Sequence, residues 1–153
     1  PRAATPPRRL DAVRQLTAAG IPVTVMVAPI IPGLNDHEIE AILTDARDAG
    51  ARDAGYVMLR LPLEIKELFR EWLAEEFPDR AKRVIGLLQS MHGGKDYVAQ
   101  FGHRQRGSGP YADQIAARFQ LARRRLGLAD ERLKLRTDLF VRPAIRGQQL
   151  TLF

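Results

Sequence analysis

Val23-Thr-Val-Met-Val-Ala-Pro-Ile-Ile-Pro-Gly-Leu-Asn-Asp36 couples an apolar run to a loop punctuated by proline and glycine. The run reads as a buried parallel strand whose carboxyl end carries a shaped loop, the place where α/β proteins put ligands. Pro29 and Pro32 fix φ and remove two amide donors, so a paired strand is expected to stop at Ala28 and leave a rigid, open-topped loop. Gly33 lets the backbone turn there, or approach a ligand without a Cβ clash. Asn35 stands where an N-cap belongs, and Glu38 completes a capping-box spacing before the apolar helix face Ile39, Ile42, Leu43 and Ala46. Gly50 supplies the stop. A second apolar stretch, Gly55 to Leu61, closes at Pro62, so residues 22–61 read as one βαβ unit with a right-handed crossover. Such a unit serves many kinds of α/β enzyme.

Outward from this unit the pattern is mostly helical. A helix is expected over about 8–19 with Leu10, Val13 and Leu16 as its inner face. Leu63 to Glu76 is amphipathic, with Ile65, Leu68, Phe69, Trp72 and Leu73 at helical spacing and Trp72 as a packing anchor. Pro78-Asp79 opens another helix through Val84, Leu87, Leu88 and Met91, which Gly93-Gly94 stops. Gly93 to Pro110 is a glycine-rich basic loop able to cradle phosphate through its amides and Lys95, Arg104 and Arg106, although it lacks the Gly-Lys-Ser/Thr of a P-loop. A last long helix, Tyr111 to Leu126, carries Ile115 and Phe119 and ends at Gly127.

Composition narrows the function classes. No run approaches the length of a membrane span, and no secretory segment opens the chain, which points to a cytoplasmic protein. There is no cysteine, which removes disulfides and cysteine-based zinc sites. His37, His92 and His103 are scattered and read as surface or loop residues rather than metal ligands. Charge divides along the chain: residues 1–79 hold 9 Lys/Arg against 13 Asp/Glu, and residues 80–153 hold 15 against 5. The later part, with Arg118, Arg123, Arg124, Arg125, Arg132, Lys134, Arg136, Arg142 and Arg146, offers a surface for polyanions such as DNA, or simply a solvated arginine-rich helix face.

Beyond these patterns, Arg2-Ala-Ala-Thr-Pro6, Arg9-Leu-Asp-Ala-Val13, Ala-Ala-Gly20-Ile-Pro-Val and the loop through Asp36 resemble the second half of a radical S-adenosylmethionine (radical SAM) barrel. The likeness is to the bacterial group that includes spore photoproduct lyase and DNA repair photolyase-like proteins. It continues through Met58-Leu-Arg-Leu-Pro62, Leu68-Phe-Arg-Glu-Trp-Leu73, Pro78-Asp-Arg, Gly93-Gly-Lys-Asp96, Gly107-Ser-Gly-Pro-Tyr111 and Gln149-Leu-Thr-Leu-Phe153. The fold class this implies is α/β: the carboxyl-terminal portion of a partial (β/α) barrel over 1–62, a mostly helical extension over 63–146 and an apolar tail over 147–153.

The resemblance implies S-adenosylmethionine and a 4Fe-4S cluster as cofactors, with the cluster on a Cys-x3-Cys-x2-Cys loop that this chain does not contain. The expectation is therefore the carboxyl-terminal part of a longer enzyme, inactive by itself, with a role in DNA repair. The family's Gly-x-Ile-x-Gly-x-x-Glu adenine motif maps with Pro29 at the first glycine, Ile31 at the apolar position, Gly33 at the second glycine and Asp36 at the acid. Asn35 lies in the same turn. Leu59 and Arg60, at the end of the next strand, are further cofactor candidates, and the Arg60 guanidinium there needs an anionic partner. Gln149, Leu150, Leu152 and Phe153 look like the peptide by which bacterial DNA-processing proteins dock on the polymerase sliding clamp, and the same residues could instead pack back on the domain. Two other classes stay open: a non-catalytic nucleic-acid or clamp-binding module, and an unrelated aldolase-like α/β barrel, which would need a Schiff-base lysine on a strand.

Overall fold

A computed structural model describes residues 3–128 and 137–142. Two parallel strands, β1 (Thr24–Ile30) and β2 (Asp53–Met58), form its sheet, with five helices: α1 (Pro6–Ala18), α2 (Ile39–Asp48), α3 (Ile65–Glu76), α4 (Pro78–Ser90) and α5 (Pro110–Arg125). The fold is mixed α/β. Among the described residues no helix is long and apolar enough to cross a membrane.

Hydrophobic pattern and turn chemistry account for the βαβ unit. Val23 O accepts from Arg52 N at 2.9 Å, and the register then runs Thr24 to Asp53, Val25 to Ala54, Met26 to Gly55 and Val27 to Tyr56. Pro29 has no amide to contribute to the ladder. The register shifts between Val27 and Ile30, yet the strand resumes, with Ile30 opposite Met58 and Leu59 N donating to Ile30 O at 2.8 Å. The strand thus extends two residues beyond Ala28, the end read from the prolines. Between the strands, Gly50 takes φ +96°, and a Cβ there would lie 2.7 Å from Thr17 Cγ2, so this turn needs glycine for its conformation and for the closeness of α1.

The strands are not buried on both faces as their apolar content implied. Ala54, Tyr56 and Met58 alternate with half-buried neighbours, and Met26 on β1 is 54% exposed. Helices α2 and α5 cover one face only. Ile39, Leu43 and Ala46 from α2 meet Ile115, Phe119 and Ala122 from α5 over Val27, Ile30, Tyr56 and Met58, with the Tyr56 and Phe119 rings 4.7 Å apart. Residues on both sides of Pro62 therefore share one core. A second cluster joins Leu34 and Leu61 to Leu73 of α3 and to Val84 and Leu88 of α4.

Polar contacts fix α5 in place. Arg118 grips Glu40 through Nε at 3.0 Å and Nη2 at 2.7 Å, and Nη2 also donates to Asp36 O at 3.2 Å. Arg123 Nη2 pairs with Asp53 Oδ1 at 2.6 Å, and Tyr111 hydrogen-bonds the buried Asp36 carboxylate. These two arginines of the basic segment are spent on carboxylates of the same chain. Arg124 and Arg125 remain exposed.

Two helical expectations change. Helix α1 starts at Pro6 and buries no residue fully; Leu16, placed on its inner face by periodicity, is exposed, and only Val13 packs partly on the core. In α3 only Leu73 is buried. Ile65, Leu68 and Trp72 stay partly in solvent, because α4 covers a narrower stripe than the apolar face presents; the Trp72 ring packs on those of Phe69 and Phe77.

Replacing Phe119 with Ala should cost about 3–5 kcal/mol, the usual range for an aromatic removed from a core, because its buried ring packs directly on Tyr56. Urea unfolding followed by circular dichroism checks this; a loss below about 1 kcal/mol would contradict the placement of α5.

Candidate functional site

The loop after β1 is held by its own asparagine. Ile31 N–H donates to Asn35 Oδ1 at 2.7 Å and Asn35 Nδ2 donates to Pro29 O at 3.2 Å, so the side chain clips both ends of the turn. This replaces the expected capping box: a short 3-10 turn, Asp36–Glu38, precedes α2, and Asn35 makes no cap hydrogen bond to it. A local Asx-type bond competes with capping, and here it wins.

Nor is the loop open-topped. Pro32 and Leu34 are buried, Ile31 and Leu59 pack against the α3–α4 cluster, and a Cβ on Gly33 would stand 3.0 Å from Leu87 Cδ1. The space that glycine frees, at φ +74°, is taken by helix α4. Ala28 and Pro29, one turn earlier, are the exposed part.

Beyond β2 the chain gathers polar groups. Arg60 Nη2 donates to Tyr97 Oη at 3.2 Å, and its guanidinium carbon lies 5.8 Å from the centre of the Tyr97 ring. Its Nε is buried without a partner, and among the described residues no carboxylate pairs with Arg60. On another side of Tyr97 the His92 ring packs edge-on at 6.3 Å. His92 is 4% exposed and its Nε2 also lacks a partner. Of the surface or loop position expected for it, the loop holds and the surface does not: the turn closing α4 carries it and folds it inward beside Met91. Burial lowers its pKa and favours neutral imidazole.

The glycine-rich loop is tied across this end of the sheet. Met58 N donates to Gln105 O at 2.9 Å and Ser108 N to Met91 O at 2.9 Å. Asp96 Oδ1 receives Arg70 Nη2 at 2.7 Å and Gln89 Nε2 at 2.9 Å. Burial pushes the Asp96 carboxyl up, but the hydrogen bonds from Gln89 and Arg70 and the charges of Arg70 and Lys66 prevail and hold it below its ordinary value. Of the three basic residues expected to face phosphate, Arg106 lies flat over Tyr56, 3.8 Å from the ring centre, and Arg104 lies over Phe101 at 5.5 Å. Lys95 lines a cleft of about 300 Å³ with Leu61, Leu63, Lys66, Asp96 and Tyr97.

A second cavity, about 420 Å³, runs along β1 on the side away from β2. Residues Val25 to Ile30 form one wall, and Leu10, Val13 and Ile42 from α1 and α2 another, with Arg9, Asn35, Glu38 and Asp45 at the rim. Pro29 and Asn35 thus face this groove, whereas Leu59 and Arg60 belong to the β2 end. The cofactor candidates read from sequence fall into two neighbouring places rather than one. Tyr97, Asp96 and His92 were not among the expected site residues; the Gly93-Gly94 break just before Asp96 and Tyr97 was the signal available. Gln149, Leu150, Leu152 and Phe153 lie outside the described residues. Among the described residues no group of three or more His, Asp or Glu could hold a metal ion.

No known family profile matches the chain, and no solved structure does either. Uncharacterized proteins of Mycobacterium tuberculosis and Mycobacterium bovis are similar to it, each 33% identical over 85 residues, which is 54% of this chain and 25% of theirs. The match thus spans a quarter of the length of these curated relatives.

Two measurements follow. Because the native state disfavours charged His92, the unfolded chain binds more protons as acidity rises through the ordinary histidine value of 6.5, so stability is full above it and declines as pH falls. Urea midpoints from pH 8 to 5 should fall for the wild type and stay flatter for His92→Gln; identical slopes would contradict this burial. Asn35→Ala should cost about 1–2 kcal/mol and speed hydrogen exchange at Ile31 N, whereas unchanged exchange would remove the clip.

Proposed function

We propose that the chain is the carboxyl-terminal part of a radical SAM enzyme acting on nucleic acid, and that its sheet is a segment of a larger β/α barrel. The observation that carries this reading is the open side of β1. That edge has no strand partner among the described residues, the groove beside it is walled by apolar side chains, and α1 presents Leu10 and Val13 there without burying them fully. Met26 and Ala28 are exposed on the strand itself. A short parallel pair with one uncovered face and a free edge is what a barrel cut between strands leaves behind. The longer mycobacterial relatives agree with further polypeptide around such a segment.

The residues fit the two cofactors unequally. For S-adenosylmethionine, exposed Pro29 and the half-buried Ile31 and Leu59 offer some apolar surface to an adenine, and Arg60, a guanidinium with no carboxylate partner among the described residues, suits a carboxylate. Gly33 and Asn35 serve the loop's own packing and hydrogen bonds and leave little for a ligand. Bound there, S-adenosylmethionine would supply the radical chemistry; the chain's own part is to orient it between the two strand ends and exclude water. For the 4Fe-4S cluster the residues do not fit, since iron–sulfur ligation needs thiolates and the sequence has no cysteine. Nucleic acid as substrate rests on the excess of basic residues after position 80, where exposed Arg124 and Arg125 stand on α5. An aldolase-like reading is weaker: Lys66 and Lys82 lie on α3 and α4 and Lys95 on the loop, none on a strand.

The test uses the complete gene product, reconstituted with iron and sulfide without oxygen. It should bind S-adenosylmethionine and release 5′-deoxyadenosine on reduction, and Arg60→Met should weaken S-adenosylmethionine binding about tenfold or more by calorimetry, the worth of a charge-assisted hydrogen bond. A complete product that takes up no iron and releases no 5′-deoxyadenosine would overturn the proposal.

A further inference from the structure

The cleft beside Tyr97 is a site that the reading above does not use. Its walls are Leu61, Leu63 and Lys66 from the chain after β2, and Lys95, Asp96 and Tyr97 from the glycine-rich loop. Two ammonium groups reach it. Lys95 has no carboxylate partner among the described residues, and Lys66 makes an exposed contact with the adjacent Glu67 at 3.2 Å while its charge also acts on the Asp96 carboxyl. The one acid in the wall, Asp96, is ion-paired with Arg70 and hydrogen-bonded by Gln89, so the two lysines leave the cleft with an excess of positive charge.

The other features of the cleft point to a ligand as well. Tyr97 Oη accepts a hydrogen bond from Arg60 Nη2, which fixes the phenol and leaves its own hydrogen to be donated elsewhere. At the rim Leu63 is 84% exposed and holds φ at +48°. A leucine in left-handed backbone, with its side chain in water, costs stability that the fold does not recover through packing, and such strain gathers at ligand sites. The cleft therefore offers positive charge and a hydroxyl donor next to a flat ring and two leucines.

We propose that this cleft binds a nucleoside phosphate: its phosphate on Lys66, Lys95 and the Tyr97 hydroxyl, its base against Leu61, Leu63 and the Tyr97 ring. An amine pair with an adjacent apolar wall selects a phosphate ester attached to a flat ring over inorganic phosphate or an apolar ring alone. Free nucleotides and nucleotides within a single strand share this chemistry. Arg60 acts here as a positioning residue through Tyr97.

Calorimetry and fluorescence anisotropy on the full chain, with thymidine 5′-monophosphate, a short oligothymidylate and inorganic phosphate as probes, test the assignment. At least one of the two thymidine ligands should bind more tightly than inorganic phosphate; tighter binding of the monophosphate identifies a small-molecule site and tighter binding of the oligonucleotide a strand-binding one. Lys66→Gln with Lys95→Gln should weaken the better ligand about tenfold, while Arg124→Gln with Arg125→Gln, which removes equal charge from α5, should change it little. Leu63→Gly should leave the urea midpoint unchanged or raised, since glycine suits that backbone, and should weaken binding about threefold by removing apolar surface. The proposal is overturned if neither thymidine ligand binds, or if the lysine and arginine pairs weaken binding equally. Thymidine ligands are used so that binding at the seat proposed for S-adenosylmethionine is not counted, and that seat should be indifferent to the lysine pair.

Discussion

A pair of parallel strands cannot bury itself, and everything in this chain depends on how its one covered face is sealed. The seal is the contact of Phe119 with Tyr56, backed by Ile115 and Ala122 and by the α2 residues Ile39, Leu43 and Ala46. Helix α5 comes from far along the chain to make it. Arg118 on Glu40, Arg123 on Asp53 and Tyr111 on Asp36 then set its register, each pairing a side chain of α5 with an acid from the βαβ unit. The glycine-rich loop is carried with this helix. Because α5 is anchored at one end of the loop and Met91 at the other, the loop lies across the end of β2, where Gln105 receives the Met58 amide.

Much of this was legible in the residues. The apolar runs, the Gly50 stop and the closing prolines specify strand, helix, strand, and the later helices follow from apolar spacing, with Pro78 at the start of one and Pro110 one residue ahead of the expected start of the last. What periodicity could not supply was which faces find a partner. Leu16, Leu68 and Trp72 have the spacing of core residues and remain exposed, since burial is decided by elements elsewhere in the chain. Pro29 shows a finer limit: it interrupts the ladder for one step, and the strand recovers because Ile30 has Met58 opposite it.

The site divided similarly. Arg60 stands just past the end of β2, and among the described residues its guanidinium donates to the neutral phenol of Tyr97. Gly33 suggested an approach for a ligand, and a helix approaches instead. Asn35 suggested a cap, and its amide turns back to the loop. Small and polar residues at a turn state that something comes close without stating what. Arg104 and Arg106 carry the same lesson for charge, because aromatic rings claim both guanidinium groups. His92 could not have been placed by composition at all.

The central proposal is that the free edge of β1 pairs with a further strand of a larger sheet. Amide hydrogen exchange along Thr24–Ile30, compared between this chain and the complete gene product, tests it most directly. The account predicts rapid exchange at the β1 amides not bonded to β2 in the chain alone and strong protection of the same amides in the complete product. Equal exchange in both would contradict it.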